Sequence, residues 1–181
     1  METLDTRTYY TWMPSPVGKL LLVSDEDGLR ELAFAEGRTI PVVDAAWVDL
    51  TGTGGGDLLR EPVRQLEAFF AGELRDFDFP LEPRGTEFQQ RVWKLLREIP
   101  FGETISYGEL ARRAGNPAAS RAVGLANGSN PISIVIPCHR VIGSNGKLTG
   151  YGGGLDNKRW LLDFEHRQLF GQHLMHELHG H

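Results

Sequence analysis

Apolar and polar positions change their period along this chain, and the changes mark its elements. Residues 8–13, 19–24 and 29–34 are short runs rich in β-branched, aromatic and aliphatic side chains. They are separated by Pro14-Ser15-Pro16-Val17-Gly18 and Asp25-Glu26-Asp27-Gly28, two turn-forming stretches, so an antiparallel meander is expected. Leu59, Val63, Leu66, Phe69 and Phe70 then recur at helical spacing before Gly72, a suitable C-terminal stop. Phe77 and Phe79 alternate with Asp76 and Asp78, the pattern of a short strand. Residues 35–56 hold neither period and end in Thr51-Gly52-Thr53-Gly54-Gly55-Gly56. That stretch lacks the Lys-Ser/Thr ending of a phosphate loop and the strand–helix setting of a dinucleotide fingerprint, and it reads as a flexible loop.

Residues 81–85 read as a linker, and the local signals sharpen beyond it. Thr86-Glu87-Phe88-Gln89 matches a capping box, and Phe88, Val92, Leu95, Leu96 and Ile99 form one apolar stripe that stops at Pro100. Ser106-Tyr107-Gly108-Glu109 matches a second box, opening a short helix that Gly115 ends; Asn116 and Pro117 suit the N-cap and first turn of another, reaching Asn127. Two short helices joined by a tight turn make a helix-turn-helix candidate. Residues 132–136 are apolar and β-branched, a buried strand or extended segment leading to Pro137-Cys138-His139-Arg140. Asp156 is a candidate cap for a last helix in which Leu161, Leu162, Glu165 and Leu169 share one face.

Charge divides the chain at the linker. Residues 1–83 hold seven Lys and Arg against sixteen Asp and Glu, whereas residues 84–181 hold twelve against eight. A surface that meets phosphates therefore belongs to the second part. The single cysteine excludes an internal disulfide. The N-terminus has no basic region followed by an apolar core, and no apolar stretch is long enough to span a bilayer. A cytoplasmic protein with a reduced thiol and no membrane partner is expected.

Three residues stand out as candidate chemistry. Cys138 is either a small core residue or a nucleophile, and in the second case it needs a base such as His139 to supply its thiolate. Glu165 falls in an apolar stripe, where a carboxylate needs a partner such as a His; a solvated side chain on a different helical phase is the alternative. Arg121 is the one long polar side chain in the middle of a helix dominated by Ala118, Ala119, Ala122, Gly124 and Ala126. It is either a surface charge on a helix made smooth for packing, or a probe on a face that approaches a sugar-phosphate backbone closely. A bare Cys-His dyad also fits a hydrolase. His173, His176, His179 and His181 lack a supporting Cys or acid constellation for zinc and read as a solvated tail.

The motifs 85–93, 105–111, 115–117, 121–124, 127–131, 136–141 and 150–154, in order across nearly all of residues 85–165, resemble the O6-alkylguanine-DNA alkyltransferases. The resemblance implies an α+β fold. Residues 1–83 would be a ribonuclease-H-like antiparallel sheet domain, 84–170 a mostly helical DNA-binding and alkyl-transfer domain, and 171–181 a tail. It implies that Cys138 accepts an alkyl group from O6 of guanine, and O4-alkylthymine is a second candidate substrate. Transfer is irreversible and happens once per chain, with no cofactor. By the same resemblance His139 and Glu165 complete a relay with Cys138, with His139 taking the proton through a water. Tyr107 donates to the departing base, and Asn130 is a hinge. Arg121 fills the space left by a nucleotide rotated out of double-stranded DNA through a minor-groove helix-turn-helix, with Ala119, Ala122, Gly124, Asn127 and Thr86 on the DNA side. Tyr151, Gly152, Pro137 and Val141 surround the base. A monomer in solution is expected, and cooperative assembly on DNA stays open. No N-terminal Cys or His is present for the zinc that some members hold, Gly152 replaces a Ser of some relatives, and Asn127 stands where some place an apolar contact.

Overall fold

The computed structural model describes residues 7–171, so the His-containing tail lies outside the described residues. The meander forms as β1 (Tyr9–Met13), β2 (Leu20–Ser24) and β3 (Leu29–Phe34). Tyr9 stands opposite Ser24, and Leu20 opposite Phe34. Every residue of the central strand β2 is buried. A fourth strand, β4 (Val48–Asp49), pairs parallel with β1, inside the segment that carries no period. Two residues are too few to show an alternation.

Helix α1 (Gly56–Phe70) buries Leu59, Val63, Leu66 and Phe69 in the core shared with the sheet. It begins at Gly56, the last residue of the Gly-rich stretch, whose other five residues form turns, as a loop requires. Gly54 and Gly55 take φ of 72° and 93°, and the Gly55 carbonyl accepts the first helical hydrogen bond from Leu59. Residues 76–79 do not form the expected strand. The Gln65 side chain takes both backbone bonds of Asp78, accepting from its N–H at 2.7 Å and donating to its carbonyl at 3.0 Å, so an amide replaces a strand partner. Phe77 still packs on Phe69.

Beyond the linker, α2 (Glu87–Leu96) has the complete capping box of Thr86 and Gln89. It ends before Ile99, which a following turn nevertheless buries. Phe88, expected on the apolar stripe, is 39% exposed; Trp93 fills the core instead and donates Nε1–H to the Ala126 carbonyl at 2.8 Å. Strand β5 (Ile105–Ser106) leads into α3 (Tyr107–Arg113), capped by the Ser106 hydroxyl. Only half of the second box forms, because Glu109 turns outward to Arg112 and Arg113. The Asn116 side chain caps a 3-10 turn, Pro117–Ala119, that runs into α4 (Ser120–Gly128) and completes the helix-turn-helix. A 3-10 turn, Cys138–Arg140, precedes β6 (Val141–Ile142), which pairs parallel with β5. The last helix, α5 (Leu155–Phe170), is preceded by Gly154 and not capped by Asp156, which lies in its first turn. The α+β arrangement, sheet first and helices after, is the one expected. No helix among the described residues is long and apolar enough to cross a membrane.

Residues 132–136 are not a regular strand. Only Ile132 bridges to the sheet, where Leu32 on edge strand β3 donates to the Pro131 carbonyl at 2.9 Å and accepts from Ser133 at 3.2 Å. The chain then tightens: Val135 donates to Ser133, Ile136 donates to Ile132, and Ile134 takes φ 71°. A β-branched residue in the left-handed region costs on the order of 1–2 kcal/mol, offset here by complete burial of its side chain. The N-terminal sheet thus holds the turn from which Cys138 emerges.

Candidate active site

The turn after Ile136 carries Cys138, His139 and Arg140, all buried, at 5%, 0% and 6% exposure. Asn130 fixes this turn by donating Nδ2–H to the Ile136 carbonyl at 2.8 Å while its Oδ1 accepts from Ile132 N–H at 3.0 Å. Glu165, brought by α5, is fully buried and receives four hydrogen bonds. Oε1 accepts from Arg140 Nε (2.9 Å) and the Gly102 N–H (3.1 Å); Oε2 accepts from Arg140 Nη2 (2.9 Å) and lies 2.7 Å from His139 Nε2. Burial alone would raise the Glu165 pKa, but His139 and Arg140 outweigh it and hold the carboxyl down to about 2.

An ionised Glu165 accepts only, so His139 carries its proton on Nε2 and keeps the Nδ1 lone pair free. Nδ1 is buried and has no hydrogen-bond partner among the described residues. Burial pushes the His139 pKa down despite the carboxylate, so the ring is a neutral base at rest. Burial likewise pushes the Cys138 thiol up; the Asn130 side chain and the charge of Lys158 act against it. Cys138 at rest is therefore a thiol that needs a base.

Lys158, one helical face with Leu161, Leu162 and Glu165, has no exposed surface. Its Nζ donates to the Val141 carbonyl at 2.7 Å and the Thr149 carbonyl at 2.9 Å, and burial lowers its pKa to about 8. Arg140 and Lys158 are site residues that the sequence reading missed. The phase that singled out Glu165 also selects Lys158, two turns earlier, and was the available signal.

Cys138 opens into a recess of about 20 Å³ lined by Asn127, Gly128, Asn130, Ser133, Tyr151 and Gly152. The recess shares Asn127, Tyr151 and Gly152 with a wider cleft of about 560 Å³, whose wall includes Tyr107, Gly124, Leu125 and Thr149. Thr149 Oγ1 donates to the Tyr107 hydroxyl at 3.3 Å. The N-terminal part reaches this cleft through Arg38, whose N–H donates to the Gly152 carbonyl at 2.7 Å. Arg121 and Ala122 are exposed on α4, and Ala119 is half-buried. Thr86 is exposed with its hydroxyl engaged as a cap, while Gln89 of the same box donates to Ser129 Oγ beside the cleft. Two expected pocket residues lie elsewhere: Pro137 lines a separate cavity with Arg75, Arg97 and Arg140, and Val141 is buried in β6. Among the described residues no cluster of His, Cys, Asp or Glu is placed to hold a metal ion.

Two family models match the chain: 6-O-methylguanine DNA methyltransferase, ribonuclease-like domain, over residues 8–83, and its DNA binding domain over residues 87–167. The chain is 55% identical over 157 residues to a methylated-DNA–protein-cysteine methyltransferase of Methanosarcina acetivorans, covering 87% of this chain and 97% of that one. It is 52% identical to the protein of the same name from Mycobacterium tuberculosis, covering 87% and 92%. The crystal structure of Mycobacterium tuberculosis OGT in complex with DNA superposes with a TM-score of 0.80 at 50% identity, covering 88% of this chain and 94% of that one. With both halves matched and the relatives covered almost end to end, the chain belongs to the 6-O-methylguanine DNA methyltransferase family.

Proposed function

We propose that this protein repairs DNA by transferring an alkyl group from O6 of guanine to Cys138 Sγ, once per chain. The observation that carries the reading is a buried, carboxylate-anchored His139 with a free Nδ1, adjacent in sequence to a thiol that opens into a cleft. His139 Nδ1 takes the thiol proton and the thiolate attacks the saturated carbon. The new S–C bond forms as the C–O6 bond breaks, and its electron pair leaves with the base. Tyr107 donates a proton to the departing guanine so that no unshielded anion develops. Proton loss at sulfur and gain at the base balance through His139, Tyr107 and solvent. The product is a thioether, which no residue of the site can hydrolyse.

The target atom lies inside the duplex, so the nucleotide leaves the stack, at a cost of a few kcal/mol. Arg121 on the smooth face of α4 fills the space it vacates, with Ala119, Ala122 and Gly124 against the minor groove and Thr86 near its edge, while Asn127, expected on the DNA side, is buried behind them and lines the recess of Cys138. Tyr151 and Gly152 flank the base, while Pro137 and Val141 shape the backbone behind it. Residues 1–83 act as the buttress and 84–170 as the DNA-binding and transfer unit of a cytoplasmic protein, monomeric in solution. O4-alkylthymine is the secondary substrate.

The test is the mass of the intact chain after incubation with duplex DNA carrying O6-methylguanine and with unmodified duplex. One added methyl group per chain, on the peptide containing Cys138 and in a stoichiometric burst, is expected. Continued turnover, or modification at another residue, would overturn the proposal.

A further inference from the structure

A second cavity, of about 90 Å³, adjoins the active-site turn through Pro137 and Arg140 and shares no residue with the recess or the cleft. Three arginines line it, Arg75, Arg97 and Arg140, against one carboxylate residue, Asp76; Phe77, Phe79 and Ile134 are among its apolar walls. Arg140 is buried, and of the five N–H groups that a guanidinium carries, three go to Glu165 and the Ile99 carbonyl. The other two have no acceptor among the described residues, and there the side chains of Arg75 and Arg97 form no hydrogen bond or ion pair. The guanidinium groups of Arg75 and Arg140 stand 5.4 and 5.7 Å from the centre of one ring, that of Phe101.

Cations gathered beside apolar walls repel one another and concentrate a positive potential in the hollow between them. Residues 1–83 hold sixteen acids against seven bases, so this potential is local to the cavity. Arg140 has its counter-charge in Glu165, whereas Arg75 and Arg97 have none. The volume suits a four-oxygen anion and is too small for a nucleobase or a peptide, and guanidinium forks match the oxygens of phosphate. We propose that the cavity is a binding site for one free phosphate ion, held by Arg75, Arg97 and the spare donors of Arg140. The target nucleotide does not supply that phosphate: α2 runs from Gln89 beside the cleft to Arg97 at this cavity, about 12 Å along its axis. The site is independent of the alkyl-transfer reading. Its walls join residues 75–81 to residues 134–140, so a bound phosphate braces the turn that carries Cys138.

Equilibrium dialysis of the full chain against labelled inorganic phosphate, at an ionic strength fixed with chloride, counts the sites. One saturable phosphate per chain is expected. Arg75→Gln and Arg97→Gln, both at exposed positions, should each weaken binding about 10-fold or more, the loss of one charge-assisted hydrogen bond. Arg60→Gln, which removes an exposed guanidinium on α1 outside the cavity, should leave binding unchanged. Phosphate also stabilises proteins in general through its exclusion from their surfaces. Thermal midpoints are therefore read as differences: the rise in phosphate over chloride should be larger in the wild-type protein than in Arg75→Gln or Arg97→Gln. At a phosphate concentration that fills the wild-type site, the backbone amides of residues 132–140 should exchange more slowly with deuterium. Uptake that does not saturate, or that is equal in the wild-type protein and both cavity variants, means an adventitious ion only and overturns the proposal. Saturable binding with unchanged exchange overturns the bracing of the turn.

Discussion

Arg140 and Glu165 face each other through two parallel hydrogen bonds, Nε to Oε1 and Nη2 to Oε2, both 2.9 Å long and both out of water. The same guanidinium donates to the Ile99 carbonyl at 2.7 Å, tying the end of α2 to the active-site turn. Fork-to-fork pairing fixes the plane of the carboxylate, and with it the angle at which Oε2 meets His139. Glu165→Gln would leave a buried guanidinium without its counter-charge. A loss of about 3–5 kcal/mol in chemical denaturation is expected, together with slower single-turnover transfer at temperatures where the variant is folded.

Acid should weaken the fold through the same carboxylate. The pKa of Glu165 is about 2 in the folded protein, against an ordinary value of 4.5. Its contribution is thus complete above about 4.5 and is lost as the pH falls from there toward 2. The linkage amounts to about 3 kcal/mol. Denaturant midpoints measured from pH 6 downward should fall across this window, and Glu165→Gln should lack that part of the slope.

Lys158 supplies the cation that favours the Cys138 thiolate. Lys158→Met keeps the length of the side chain and removes the charge. The rate of Cys138 alkylation by a small neutral electrophile should fall at neutral pH, and its pH profile should move to higher pH. An unchanged profile would show that Asn130 and His139 suffice.

Arg121 is exposed, so Arg121→Ala should leave the thermal midpoint where it is. Transfer from duplex DNA should drop by about 10–100-fold, equivalent to part of the few kcal/mol of unstacking. Transfer from the free O6-alkylguanine base, which needs no flipping, should stay the same.

Where a side chain acts through its own neighbours along the chain, the sequence was readable. Thr86 and Gln89 complete a capping box, Ser106 and Asn116 cap the elements expected of them, and the three strands keep their bounds within a residue or so. Glu165 was legible because a carboxylate in an apolar stripe needs a partner. What failed depended on distant partners. Gln65 replaced a strand at Asp78, the edge of β3 captured residues 131–133, and Trp93 outcompeted Phe88 for the core. Arg140 and Lys158 went unread because long basic side chains are rarely buried, and the helical phase that selects Lys158 does not reveal the two carbonyls that await it, nor does anything beside Arg140 reveal its carboxylate. Arg38 was hidden in a segment without periodicity, and only the folded chain brings it to Gly152.

The spacing of the relay has a consequence for the timing of reactivity. His139 precedes its carboxylate partner by 26 residues. While the chain is being made, the thiol leaves the ribosome well before Glu165, and in that interval the imidazole has no fixed tautomer and the thiol no aligned base. The reagent is armed by the last helix. Docking of α5 is therefore the step that fixes the imidazole proton on Nε2 and completes the alignment of the site, after both helices of the helix-turn-helix have been made.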